Sequence, residues 1–138
     1  DYIETSKKKQ RIDLDEFSPK NHSSNENAAR REMCELIQRA YNQKLFTSTQ
    51  GTFSQRLSEQ SFLITPYMVD RKYMDAADIV RIDNGMVEAG KTPSRSVLLH
   101  KYIYEKHPHV NSIIIAHPPS IMAFAVTEEK FDSRTIPE

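Results

Sequence analysis

The chain has 138 residues, enough for one domain with a substantial core. Its 19 basic and 19 acidic side chains cancel, which excludes a global field favouring nucleic acid or an anionic membrane surface. A single cysteine, Cys34, excludes an internal disulfide framework and fits a reducing, cytoplasmic setting, and no apolar run approaches the ~20 residues that span a bilayer. No stretch reads as a secretory signal. The chain starts at Asp1 rather than Met and stops at Glu138 just after an expected strand, so we expect a fragment or processed product.

Residues 1–24 read as a polar arm or linker, and residues 25–138 as the folded domain. Lys7, Lys8, Lys9 and Arg11 form a basic run balanced by Asp13, Asp15 and Glu16. Such a run is either a solvated arm or a nucleic-acid or localisation patch, and composition favours the arm. Leu14 and Phe17 are its candidate anchors on the domain.

Ser23-Ser24-Asn25-Glu26 has the form of a capping box and predicts a helix over about Glu26 to Gln43. Ala29, Met33, Leu36, Ile37 and Ala40 fall on one apolar face. Cys34 lies beside that face and reads as a buried thiol rather than a nucleophile, since no activating base is near in sequence. Glu35 and Arg39 can pair on the outer side. The small residues Thr47-Ser48-Thr49-Gln50-Gly51-Thr52 then precede a strand. They either let a backbone approach a ligand closely or form a hairpin connection.

Ser61 to Ile64 suits a strand that Thr65-Pro66 ends, because Pro66 cannot donate to a ladder. Met74 to Asp78 reads as one helical turn. Ile79 to Asp83 alternates as a half-buried strand, Asn84-Gly85 signals a hairpin, and Met86 to Glu88 returns. Thr92 is a candidate N-cap with Pro93 at the first helical position. That places Ser94 and Arg95 in the first turn, where free N–H groups and the helix dipole favour an anion and Arg95 adds a bidentate donor. The same features also describe an ordinary capped helix with a surface arginine.

Ser96, His100, Ile103 and His107 fall near one face of that helix. His100 is either a metal ligand or a helix-surface or hydrogen-bonded histidine. His107-Pro108-His109 ends the helix, with both histidines solvated. Ile113 to Ala116 forms an unbroken apolar run, a strand of the sheet interior covered on both faces. His117 follows it, where a metal ligand, an acid/base or a structural residue is expected. Ser120 to Val126 is apolar nearly all round and reads as a buried helix, and Phe131 to Ile136 as the start of another strand.

In this order the segments resemble the class II aldolase/adducin family. The likeness covers about residues 26–138, roughly the first two-thirds of a typical family domain. It rests on the opening helix, on Gly51-Thr52-Phe53-Ser54-Gln55-Arg56, which is similar to Gly-Asn-x-Ser-x-Arg, and on Leu63-Ile64-Thr65-Pro66. It also rests on Glu88-x-Gly90-Lys91-x-Pro93-Ser94 and on the strand ending at His117. The resemblance implies an α/β fold, a three-layer α/β/α sandwich of the class II aldolase type, here incomplete at the C-terminus. It implies a divalent metal, usually Zn2+, held by three histidines, and a phosphorylated sugar or ketose as substrate. Carbon–carbon bond cleavage or formation follows, with a glutamate exchanging protons and the metal polarising the carbonyl. Gly51, Thr52 and Ser94 match phosphate-binding positions, and the resemblance implies a cytoplasmic homo-oligomer.

The departures from the family pattern fall at the chemistry. Ser96 occupies the acid/base position, with His100 one turn beyond it as a substitute. Ile115 stands where a His-x-His pair would begin, which leaves His117 as the one expected metal ligand before Glu138. Tyr67 and Met68 replace small phosphate-loop residues. Two functions stay open. One is an enzyme of the aldehyde-lyase type completed by groups outside this chain. The other is a non-catalytic binding or assembly domain, as in the adducin branch. The chain alone is expected to lack retro-aldol activity.

Overall fold

The computed structural model describes residues 14–18, 23–46, 50–116 and 123–127. Among the described residues seven strands form one sheet: β1 Glu16–Phe17, β2 Thr52–Ser58, β3 Ser61–Ile64, β4 Val80–Asp83, β5 Met86–Glu88, β6 Ser112–Ala116 and β7 Ala123–Thr127. Their spatial order is β1-β5-β4-β3-β2-β6-β7, and every pair is antiparallel except β1 with β5. Two helices, α1 Ser24–Asn42 and α2 Val97–Lys106, complete the α/β/α layers.

Strand alternation divides the core between the two faces of the sheet. On one face α1 buries Ala29, Met33, Leu36, Ile37 and Ala40 against Phe53, Leu63 and Ala116. On the other, Val97 and Tyr104 of α2 pack with Phe62, Ile64, Val80, Ile82 and Ile113. The apolar stripe of α1 is therefore the one its spacing predicts. Cys34 is buried beside it, and burial pushes its thiol up to about 11, so it stays protonated at neutral pH.

Ser23 caps α1 by accepting from the Glu26 N–H at 3.1 Å. The reciprocal half of the expected capping box is replaced. Glu26 is buried and turns inward, where its carboxylate meets Arg30 at 3.1 Å and Arg81 at 2.7 Å. Arg30 reaches on to Glu88 at 2.8 Å, and Lys91 meets the second Glu88 oxygen at 3.0 Å. This network ties α1 to β4, β5 and the loop after them. Burial alone would raise the Glu88 carboxyl, but hydrogen bonds from Arg30 and Lys91 hold it below its ordinary value.

The β4–β5 hairpin turns on Asn84 and Gly85, both at positive φ (51° and 78°), as a type I′ turn requires. The Met74–Asp78 turn is a 3-10 turn over Ala76–Asp78, closed by a capping box from Asp75. Leu14 packs on the α2-side core and Phe17 lies under the Arg81 guanidinium, so Glu16–Phe17 docks along β5. The Lys7–Arg11 run, His117 and Phe131–Ile136 lie outside the described residues.

Three expectations are corrected. The helix does not start at Thr92-Pro93: α2 begins at Val97 with Ser96 as N-cap, which makes no side-chain cap bond. Pro93 instead bridges Pro66, while the Tyr67 N–H donates to the Thr92 carbonyl and the Ser94 N–H to the Thr65 carbonyl, both at 2.9 Å. Extended pairing satisfies these groups before the helix can. Within Ser120–Val126, the described part is strand β7, not helix. A short apolar run carries no period that separates the two, and the open edge of β6 supplies a ladder partner for Ala123–Thr127. The residues around Gly51 join α1 to β2, so they are a helix-to-strand connection and not a hairpin.

Candidate functional site

A cavity of about 270 Å³ opens where β6 finishes and β2 starts, on the α2 side of the sheet. Thr52 of β2 sits opposite Ile115 of β6 in the ladder, and both line it. Gln50 and Gly51 form one wall, Tyr67, Met68 and Arg71 a second, and Ser94, Arg95 and Ser96 the third. Gly51, Thr52, Ser94 and Arg95, the candidate binding residues of the sequence, thus share one cavity, and Ser96 and Ile115 join them.

Backbone geometry requires the glycine. Gly51 has φ 98°, and a Cβ there would lie 2.3 Å from the Phe46 ring. Its carbonyl is gripped by Arg71, which donates from Nε at 3.2 Å and from Nη2 at 2.8 Å. Nη1 of the same guanidinium donates to the carbonyls of Pro66 (3.0 Å) and Val69 (2.8 Å). Arg71 is 2% exposed and meets no carboxylate among the described residues. Burial pushes its pKa down to about 10, which still leaves it charged at neutral pH. Four of its five N–H donors are engaged and one Nη2 hydrogen is left.

Sequence reasoning missed Arg71. It lies in the polar run Asp70-Arg71-Lys72, which reads as a solvated turn. The only signal was its place shortly after Thr65-Pro66, the loop that forms a cavity wall.

The other groups differ in availability. Ser94 is buried, and its hydroxyl donates to the Thr65 carbonyl at 2.8 Å and meets Thr65 Oγ1 at 2.7 Å. Its single proton is committed, so it fixes the wall. Arg95 is exposed and its guanidinium stands 5.9 Å from the Tyr67 ring centre. Met68 holds a left-handed conformation, φ 59°, that β-carbon residues adopt at a cost. The start of α2 follows Ser96 directly and brings the positive end of its dipole to the cavity. No carboxylate is among the described lining residues.

His100 is not a lining residue. It is fully buried one turn behind Ser96, with Nδ1 hydrogen-bonded to Ser54 Oγ, and Ser54 Oγ meets Tyr104 OH at 2.8 Å. Burial pushes its pKa down to about 4, so the imidazole is neutral at pH 7. It is the hydrogen-bonded alternative weighed from the sequence, and its burial overturns the helix-surface one. His107 and His109 are exposed.

The divalent metal implied by the resemblance finds no fitting donor set among the described residues. Among the described residues the cavity lining offers no imidazole, thiolate or carboxylate, and its two guanidinium groups repel a cation. Ile115 has no lone pair. No group of three or more His, Cys, Asp or Glu side chains that could hold a metal forms among the described residues.

The family model for the class II aldolase and adducin N-terminal domain matches residues 31–136. The chain belongs to the class II aldolase and adducin N-terminal domain family. A methylthioribulose-1-phosphate dehydratase of Sodalis glossinidius is 30% identical over 84 residues, covering 59% of this chain and 42% of that protein. A 3-oxo-tetronate 4-phosphate decarboxylase of Cupriavidus necator is 26% identical over 104 residues, covering 75% of this chain and 48% of that protein. Among solved structures, an L-fuculose 1-phosphate aldolase superposes with a TM-score of 0.63 at 29% identity, covering 71% of this chain and 46% of that chain. The class II aldolase domain described here thus spans less than half the length of these relatives. Its fold is the one the family resemblance implies.

Proposed function

We propose that this class II aldolase/adducin domain recognises a phosphorylated sugar or a similar small anion in the cavity between Gly51, Arg71 and the start of α2. One observation carries the proposal. Among the described residues, two guanidinium groups and the start of a helix line the cavity, with no carboxylate to neutralise them. An anion with several acceptor oxygens complements such a site, and Arg71 keeps one N–H for it. The relatives support the substrate class, since all three are named for a phosphorylated compound.

The activity reading rests on particular positions. A retro-aldol step needs a group that holds the developing negative oxygen and one that exchanges a proton near the working pH. Ser96 at the acid/base position has no such pKa, and Ile115 cannot bind a metal. These two residues favour a non-catalytic binding or assembly domain over an aldehyde-lyase within this chain. A cytoplasmic homo-oligomer is the setting this reading carries, and sedimentation would test the assembly.

Phosphate titration followed by amide NMR tests the site. Shifts at Gly51, Thr52 and Arg95 at millimolar phosphate are expected, and their absence counts against it. Retro-aldol assays with added zinc and phosphorylated ketoses test the second part. The chain should show no turnover, and turnover abolished by His100→Ala would place a base at His100 and overturn the non-catalytic reading.

A further inference from the structure

We propose that a second cavity, at the far end of α2 from the first, binds a small zwitterion with an apolar body, the chemistry of a free aliphatic amino acid. It is a different site, and the phosphate reading does not enter. The cavity measures about 330 Å³, at the small end of the ~300–1,000 Å³ that ligand pockets span. It lies between the β2–β3 turn, the Asn84-Gly85 turn and the second half of α2.

Its walls are fixed before any ligand arrives. Arg56 donates from Nε to the Val110 carbonyl at 2.8 Å and from Nη2 to the Tyr104 and His107 carbonyls at 3.0 and 3.3 Å. Its Nη1 donates to the Glu59 carbonyl at 3.4 Å. The guanidinium thereby closes the C-terminal end of α2, and one Nη1 hydrogen is left. The Asn84 N–H donates to the Gln60 carbonyl at 2.9 Å and joins the two turns. The Lys101 stem runs over the second turn, so close that a Cβ on Gly85 would lie 3.0 Å from Lys101 Cε. A site held in this way gives up little freedom on binding.

Charge and floor select the ligand. The lining carries two cations, Arg56 and Lys101, and two carboxylates, Glu59 and Glu105, which sum to zero. A net anion, which suits the first cavity, gains nothing here. Glu59 is exposed, and its carboxylate has no partner among the described residues. Lys101 and Glu105 pair at 3.4 Å with side chains 37% and 60% exposed, and so weak a surface pair exchanges readily for ligand groups. A ligand ammonium complements Glu59, and a ligand carboxylate complements Lys101 and the remaining Arg56 N–H. Phe62 and Tyr104, with ring centres 4.9 Å apart, form the floor. The Arg56 guanidinium stands 4.7 Å from the Tyr104 ring centre, and both rings are 5% exposed. No open ring face is left for a sugar to stack on, while an aliphatic side chain packs against the ring edges.

The probes are L-leucine, 3-methylbutylamine, which lacks its carboxylate, and 4-methylpentanoate, which lacks its ammonium. Each is titrated into the 15N-labelled chain and followed by amide NMR. Leucine should shift Gln60, Asn84, Gly85 and Lys101 and leave Gly51 and Thr52 in place. It should bind roughly tenfold more tightly than either analogue, the value of one charge-assisted contact. Glu59→Gln should remove the advantage over 4-methylpentanoate, and Lys101→Met the advantage over 3-methylbutylamine. Both replace side chains that solvent reaches, and the same spectra report that the fold is kept. Shifts at these residues with methyl glucoside but not leucine mark a neutral polyol site and overturn the proposal. Equal binding of leucine and the amine, or a leucine advantage that survives either variant, overturns it as well. So does the absence of shifts with every probe. Each of these outcomes leaves the phosphate reading intact.

Discussion

The Arg71 guanidinium holds the Gly51 carbonyl with two hydrogen bonds, 3.2 Å from Nε and 2.8 Å from Nη2. The same group ties down Pro66 and Val69, so one side chain joins two walls of the cavity. Arg71→Lys keeps the charge but cannot span these acceptors. We expect it to lower stability by about 2–3 kcal/mol, as charge-assisted bonds are lost. Phosphate affinity should fall by at least tenfold. Urea unfolding and phosphate titration of the variant check both, and an unchanged affinity would remove Arg71 from the site.

Gly51→Ala meets two obstacles together. Its φ of 98° strains any L-residue, and the new methyl would lie 2.3 Å from the Phe46 ring, itself in the core. The expected loss is about 2–4 kcal/mol, the sum of backbone strain and overpacking. In the double variant with Phe46→Leu the overpacking part should shrink while the strain stays. Thermal unfolding of the single and double variants measures the split.

Much of the fold is legible in the sequence where a local rule and the tertiary structure agree. Ser23 caps α1 and its apolar stripe is buried, because a helix of that length displays its period clearly. Asn84-Gly85 makes the hairpin it signals. Thr92-Pro93-Ser94 shows the opposite case. Every local cue for a helix start is present, but Thr65, Pro66 and Tyr67 pair with that segment and delay α2 to Val97. Those partners lie distant in the chain, and no window on the sequence contains both. Strand β1 was unreadable for a similar reason, since two residues of a charged arm carry no period. The candidate binding residues Gly51, Thr52, Ser94 and Arg95 line one cavity, while Arg71 was hidden because burial reverses the meaning of a charged turn.

His100 makes stability depend on pH. Its folded pKa is about 4, against an ordinary 6.5. Between those values the unfolded chain takes up a proton that the folded chain refuses. Stability from the neutral, buried ring is thus full above pH 6.5 and is lost as pH falls toward 4. The loss should be about 2 kcal/mol at pH 5. Urea midpoints of wild type and His100→Gln at pH 7 and pH 5 test this. An equal slope in both proteins would show that another group is responsible.

Glu88 carries a second acid dependence at lower pH. Its folded pKa lies below the ordinary 4.5, so its contribution is present above that value and lost as pH falls through the folded one. Glu88→Gln leaves Arg30 and Lys91 facing a neutral amide in a buried network. The expected cost at pH 7 is about 3 kcal/mol. The gap between wild type and variant should close as pH falls through the lowered folded pKa, and a gap that persists in strong acid would assign the stability to packing.

The ladder between Thr52 and Ile115 has a consequence for how the molecule assembles. Strands β2 and β3, and β4 and β5, join by tight turns, whereas β2 meets β6 only after the chain has passed through five other elements. Closing so long a loop is entropically slow, so this seam is expected to zip after the hairpins. The cavity straddles it. A transient opening that peels β6 away would erase the pocket while the hairpins persist, and any bound anion would act as a latch on that opening. Amide exchange in β6 should therefore slow on ligand addition more than exchange in β4 or β5, making local unfolding itself a reporter of occupancy.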